Sequence, residues 1–202
     1  MIAPELIRVA PMVIIHPPDR FPDSIPAGSI ILPQLPGDVF GDGSHPTTRL
    51  SARAVDYWCR VHKPQSLLDV GTGTGILARL ARAHGIPFIA ATDSDPVALE
   101  AARKNASLDK TPIPISITDA APDFWGSCFD LVIANILESV LRDIASGLIT
   151  ALVPNGTLVI SGFTQFQAPF LRSYFSNRGV RFEQAARLDE WALLRFRRVS
   201  EA

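Results

Sequence analysis

The chain predicts an α/β fold with a doubly wound, mostly parallel sheet of seven strands, the last of them antiparallel. Three observations lead there. Apolar runs of strand length alternate with segments of helical period between residues 66 and 177. The first run ends in an acid and three glycines spaced two apart, Asp69-Val70-Gly71-Thr72-Gly73-Thr74-Gly75, directly before a helical pattern. The last two runs are joined only by Arg187-Leu188-Asp189-Glu190, which permits an antiparallel pair and no crossover helix.

Residues 1–36 carry eight of the 17 prolines, interleaved with short apolar runs such as Met12-Val13-Ile14-Ile15 and Ile30-Ile31-Leu32. Proline at this density prevents helix and confines strands to edges. A strap of extended segments, with room for a short hairpin, is expected there, lying against the main domain at 37–202. The loop Phe40-Gly41-Asp42-Gly43-Ser44-His45-Pro46-Thr47-Thr48-Arg49 then leads into a helix with Pro46 at its first position. Leu50, Ala54, Tyr57 and Val61 give that helix one apolar face. On capping rules alone, the loop is a helix start with glycine punctuation.

Leu67, Leu68 and Val70 suit a buried parallel strand, and Ile76, Leu77, Leu80 and Ala81 follow the glycines at helical spacing. Gly71, Gly73 and Gly75 therefore form a strand-to-helix turn. Such a turn permits positive φ, lets a ligand approach, and offers it the N–H groups of a helix start. A second strand, Phe88-Ile89-Ala90-Ala91, ends at Thr92-Asp93, and Asp95-Pro96 begins a helix to about Leu108. Ile113 to Ile117 makes a third strand whose proline suggests an edge, followed by Asp119. Phe129 to Ala134 is a fourth, apolar throughout as a strand covered on both faces should be, and it stops at Asn135. A helix from about Glu138 to Leu152, a Pro154-Asn155-Gly156 turn and a fifth strand, Thr157–Ile160, come next. Ser161-Gly162-Phe163 reads as the loop above it, Gln165–Asn177 as a helix, and Val180–Ala186 and Trp191–Phe196 as the final pair.

At 202 residues, 47% hydrophobic and 19% charged, the chain can bury one substantial core. Lysine plus arginine total 19 against 20 acids, so no basic field points to nucleic acid. Cys59 and Cys128 have no partner at metal-ligand spacing; they read as buried reduced thiols of a cytoplasmic protein, and no metal site is expected. The N-terminus shows no secretory signal and no apolar run is long enough to span a bilayer, so no membrane partner is expected.

The glycine loop, Asp93, Asp119, Asn135 and Ser161 all fall at the carboxyl ends of the strands, where open α/β sheets bind ligands. A dinucleotide fingerprint G-x-G-x-x-G fails, because the sixth position from Gly71 is Ile76. Asp93, 22 residues after Gly71, is placed to accept from ribose hydroxyls. An adenosyl ligand without a pyrophosphate satisfies both. This pattern resembles the S-adenosylmethionine site of class I methyltransferases, which implies that Asp69 supports the methionine end. The same resemblance sets Asp119 at the adenine amino group, although a free loop aspartate fits the sequence equally well. Asn135 suits the orientation of an amine acceptor, or the capping of the helix at Glu138. His45 could take the amine proton, or stand exposed and idle.

The loop 40–49, the cradle 69–75, Asp93-Ser94-Asp95-Pro96, Ala134-Asn135-Ile136-Leu137, Ser161-Gly162 and Glu190-Trp191 occur in the order and approximate spacing of the PrmA family. That family methylates a ribosomal stalk-base protein on lysine side chains and its terminal amine. The resemblance implies S-adenosylmethionine contacts from Thr48, Gly71, Asp93 and Asn135, and a protein acceptor of the ribosomal class. It covers residue 37 onward; only some 36 residues precede it where the family carries a substrate-capture domain. Asp42 and Ser44 replace the family's threonines. Glu138 replaces a small residue, drawing a cationic acceptor or favouring the helix start. The reading is an N-methyltransferase with a protein lysine or terminal amine as acceptor. Its rivals are a protein that binds S-adenosylmethionine without turnover, for sensing or as a partner subunit, and, remotely, a nicotinamide-dependent oxidoreductase.

Overall fold

The structure is a computed structural model that describes residues 6–199. The N-terminal strap forms β1 (Ile7–Ala10), β2 (Val13–His16) and β3 (Ile30–Pro33). β1 and β2 are an antiparallel hairpin, and β3 adds in parallel to β2. Val9, Val13, Ile15 and Leu32 sit in one apolar cluster with the first two helices, so the strap shares the core of the main sheet.

That sheet contains β4 (Ser66–Val70), β5 (Phe88–Thr92), β6 (Ser116–Thr118), β7 (Phe129–Asn135), β8 (Leu152–Thr164), β9 (Val180–Leu188) and β10 (Trp191–Arg198). Its order is β6-β5-β4-β7-β8-β10-β9, with β10 antiparallel to both neighbours and the strands from β6 to β8 parallel. This is the predicted seven-stranded doubly wound sheet. β6 is an edge strand, and Pro112 and Pro114 restrict it to three residues. α1 (Pro46–His62) and α2 (Ile76–Ala83) cover one face with the strap. α4 (Glu138–Asp143), α5 (Ala145–Thr150) and α6 (Ala168–Ser176) cover the other. α3 (Pro96–Ser107) connects β5 to β6. No helix among the described residues is long and apolar enough to cross a membrane.

Four sequence expectations are corrected. On α1, Leu50 is buried and Ala54 packs on the core as expected, but Tyr57 and Val61 are exposed, and the rest of the buried face includes Thr48, Ser51, Ala52, Val55, Trp58 and Cys59. Asp56 is buried there as well because it has partners, Arg60 at 2.7 Å and His84 at 3.1 Å. The helix expected over 138–152 breaks at Ile144, which turns to line a cavity while Leu141 and Leu148 stay in the core. β8 is longer than its apolar run. Leu152 pairs with Phe129 and Thr157 with Leu131, so Pro154-Asn155-Gly156 bulges out of a continuing strand; at the other end β10 pairs with Ser161, Phe163 and Thr164, which removes the expected loop. Cys128 is exposed, while Cys59 is buried with its thiol pushed up to about 12 by burial and by Asp56.

Candidate active site

A cavity of about 1060 Å³ opens beyond the carboxyl ends of β4, β5 and β7. Here strand order turns, since β5 and β6 lie to one side of β4 and β7 and β8 to the other. Gly71, Gly73, Asp93, Asp119 and Asn135 all line this cavity, having come from separate stretches of sequence.

The glycine loop is held by the protein itself. Gly71 and Thr72 N–H donate to Thr92 O at 2.8 and 2.9 Å, Gly73 N–H to Asp93 Oδ2 at 2.9 Å, Thr74 N–H to Phe40 O at 3.0 Å and Gly75 N–H to Thr72 O at 2.9 Å. The N–H groups of the loop itself, 71–75, are thus already bonded within the chain. A pyrophosphate would need them free. Gly73, at φ +54, also passes so close to Phe40 O that a Cβ would collide with it.

Asp93 is fixed by two donors, Gly73 N–H on Oδ2 and Asp95 N–H at 3.1 Å on Oδ1, and each oxygen keeps a lone pair for a ligand hydroxyl. Asp119 is exposed at the rim beside Ala120 and Ala121. Asn135 ends β7, is buried, and its Oδ1 has no hydrogen-bond partner. It does not cap α4, whose N-cap is Leu137. Among the described residues lining the cavity are four aspartates, Asp38, Asp93, Asp95 and Asp119, and no lysine or arginine.

Three expected residues lie behind the wall. Asp69 is fully buried; Oδ2 accepts from Thr72 Oγ1 at 2.6 Å and Ala78 N–H at 3.2 Å, Oδ1 has no partner, and its carboxyl is pushed up to about 6, chiefly by burial. It orders the turn and the start of α2. Gly75 packs against Ala102 of α3. Thr48 is buried in the contact of α1 with the core; its neighbour Thr47 lines the cavity, since successive helical residues point about 100° apart.

His45 is neither exposed nor idle. It is the N-cap of α1, with Nδ1 accepting Thr47 N–H at 3.3 Å and lying 2.8 Å from Thr47 Oγ1. Its ring meets Phe40 and Trp191 edge to face, with centroids 5.2 and 4.6 Å away. That hydrogen bond assigns the neutral ring's proton to Nε2, which leaves no lone pair there for an incoming ammonium proton. Sequence reasoning gave no role to Trp191, and the Glu190-Trp191 pair that opens β10 was its only signal. It named Gly162 in the family pattern without a physical reason, which the fold supplies: a Cβ there would collide with Ile136 O, so only glycine lets the Asn135-Ile136 backbone lie over β8.

Residues 6–199 match the family described as Ribosomal protein L11 methyltransferase (PrmA). The chain belongs to this family. Ribosomal protein L11 methyltransferases of Myxococcus xanthus and Burkholderia vietnamiensis are 36% identical over 173 residues and 42% identical over 141. Those alignments cover 86% and 69% of this chain, and 59% and 45% of the relatives. The chain spans about half the length of the curated relatives it matches. A crystal structure of ribosomal protein L11 methylase from Lactobacillus delbrueckii subsp. bulgaricus superposes with a TM-score of 0.85 at 26% identity, covering 96% of this chain and 99% of that one. The glycine loop, Asp93 and Asn135 thus occupy one cavity in a PrmA-family fold.

Proposed function

We propose that this chain is an S-adenosylmethionine-dependent N-methyltransferase whose acceptor is a protein lysine or terminal amine. The relatives' names make a ribosomal protein the first acceptor to test, and a cytoplasmic location fits that reading. The transfer chemistry is assigned to residues 37–202, with 1–36 as the strap that backs it. The observation that carries the reading is Asn135, a buried carboxamide with an unpartnered oxygen, across from a glycine loop that has no N–H left for a phosphate.

S-adenosylmethionine supplies a methyl group on a sulfonium, which is displaced in line by a nitrogen lone pair. Asp93 is suited to the ribose hydroxyls, Gly71 and Gly73 to close passage of the ligand along the backbone, and Asp119 to the adenine end. Thr48, Asp69 and Gly75 shape the walls from behind. Asn135 Oδ1 can accept an N–H of the neutral amine and aim its lone pair, a positioning effect that can supply roughly 7–11 kcal/mol. The four carboxylates favour a cationic ligand and a cationic acceptor alike.

Titration of the protein with S-adenosylhomocysteine, then transfer of labelled methyl groups to ribosomal protein L11 and to cytosolic extract, tests this reading. Asp93→Ala should weaken binding at least about ten-fold, as befits loss of a charge-assisted bond of about 1.5–3 kcal/mol. Asn135→Ala should slow transfer about 100-fold with donor affinity nearly unchanged. Donor binding without transfer to any protein would favour a binding-only role; binding of NADH in place of S-adenosylhomocysteine would overturn the cofactor.

A further inference from the structure

We propose that an apolar shelf beside the cavity mouth docks the acceptor as a basic polypeptide segment with large apolar side chains around its target amine; this rests on the N-methyltransferase reading above. Leu137 and Val140 line the cavity yet remain 69% and 40% exposed. Phe166 and Phe170, 84% and 52% exposed, extend the same side of the mouth. Two contacts place them there. The Arg142 guanidinium lies 5.8 Å from the Phe170 ring, joining α6 to α4, and Gln165 N–H donates to Glu190 O at 2.8 Å, setting Phe166 beside the start of β10 and Trp191.

Side chains of this size clustered in water mark an interaction surface. Their continuity with the cavity that holds Asn135 identifies the partner as the molecule whose amine must reach that residue. Charge gives its chemistry. The cavity carries its aspartates without lysine or arginine, Asp143, Asp189 and Glu190 are exposed around the shelf, and Arg142 is paired with Glu138 at 2.8 Å. A basic face is steered to such a surface, and apolar side chains seated on the phenylalanines would supply most of the affinity.

The test is fluorescence anisotropy of labelled peptides with the whole protein and S-adenosylhomocysteine present. One peptide alternates leucine and lysine, a second replaces its leucines by glycine, and a third replaces its lysines by glutamate. The native protein should bind the first at least ten-fold more tightly than either other. The double variant Phe166→Ser/Phe170→Ser should lose at least ten-fold of that binding while its affinity for S-adenosylhomocysteine stays unchanged. Equal binding of the three peptides, no binding of the first, or equal binding by the double variant would overturn the shelf. So would a native dimer that the double variant dissolves without any effect on peptide. Failure of S-adenosylhomocysteine to bind would sink the methyltransferase reading separately, while the peptide series still decides the shelf.

Discussion

Asp69 shows how one residue can serve a site without touching its ligand. Burial pushes its carboxyl up to about 6, the hydrogen bonds from Thr72 and Ala78 resist, and the charge of Asp93 adds to the rise. The unfolded chain ionises this group first, near pH 4. Folded protein therefore holds the extra proton between about pH 4 and pH 6, and stability from this residue falls as pH rises through that window. The loss is of the order of 3 kcal/mol for a shift of about two units. Urea midpoints at pH 4 and pH 7 should move less in Asp69→Asn than in the native protein, whereas equal movement would place the titration elsewhere. Gly73 makes a sharper prediction at the same scale. Alanine there meets Phe40 O and an unfavourable left-handed backbone costing roughly 1–2 kcal/mol, so Gly73→Ala should weaken S-adenosylhomocysteine binding more than ten-fold in calorimetry.

Between elements, Asn105 of α3 joins the strap to the glycine loop. Leu35 N–H donates to its Oδ1 at 2.9 Å and its Nδ2 donates to Thr74 O at 3.0 Å. Thr74 in turn receives the strap's continuation through its N–H to Phe40 O and its Oγ1 to Gly41 O at 2.6 Å, while Gln34 Nε2 reaches the same Gly41 O at 3.2 Å. Asn105→Ala leaves the buried Thr74 carbonyl unpaired, at about 1–3 kcal/mol, and frees the half-exposed Leu35 N–H. Asn105→Asp keeps the acceptor for Leu35 N–H but sets a carboxylate oxygen against Thr74 O where the donor stood. Donor affinity should fall about ten-fold in both variants if the loop depends on this tie. Native affinity in both would show that the loop holds itself. The strand–glycine–helix unit and Asp93 were legible in sequence because their signals are local: an apolar run, a turn, an acid at a fixed distance. The buried face of α1 was not legible, because the acceptance of Asp56 in the interior depends on His84, which lies far along the chain, and the burial of Thr48 and Ser51 depends on how the helix rotates against the core.

Across the whole molecule, the strap, α2 and the segment after α3 meet at a buried ionic cluster. Arg79 bonds Pro33 O and pairs with Asp109 at 2.6 Å, and Arg82 pairs with the same carboxylate at 2.5 Å. Removing a single shared acid leaves two buried cations unpaired, which costs about 3–5 kcal/mol. At roughly 2–4 °C per kcal/mol for a chain of this size, Asp109→Ala should lower the melting temperature by about 10 °C. A drop of only a degree or two would show that solvent reaches the cluster. The amino-acid sequence by itself determined the doubly wound class, the strand-to-helix turn of the glycine loop and the acids and amide at the strand ends, since period and spacing are properties of neighbouring residues. Tertiary structure alone decided that the loop's N–H groups are consumed within the chain and that Thr47 rather than Thr48 meets the cavity. It alone set Trp191 beside His45 and gathered Phe166 and Phe170 at the mouth. Each of these depends on which distant strands pair and how helices rotate against the sheet, and no local pattern records either.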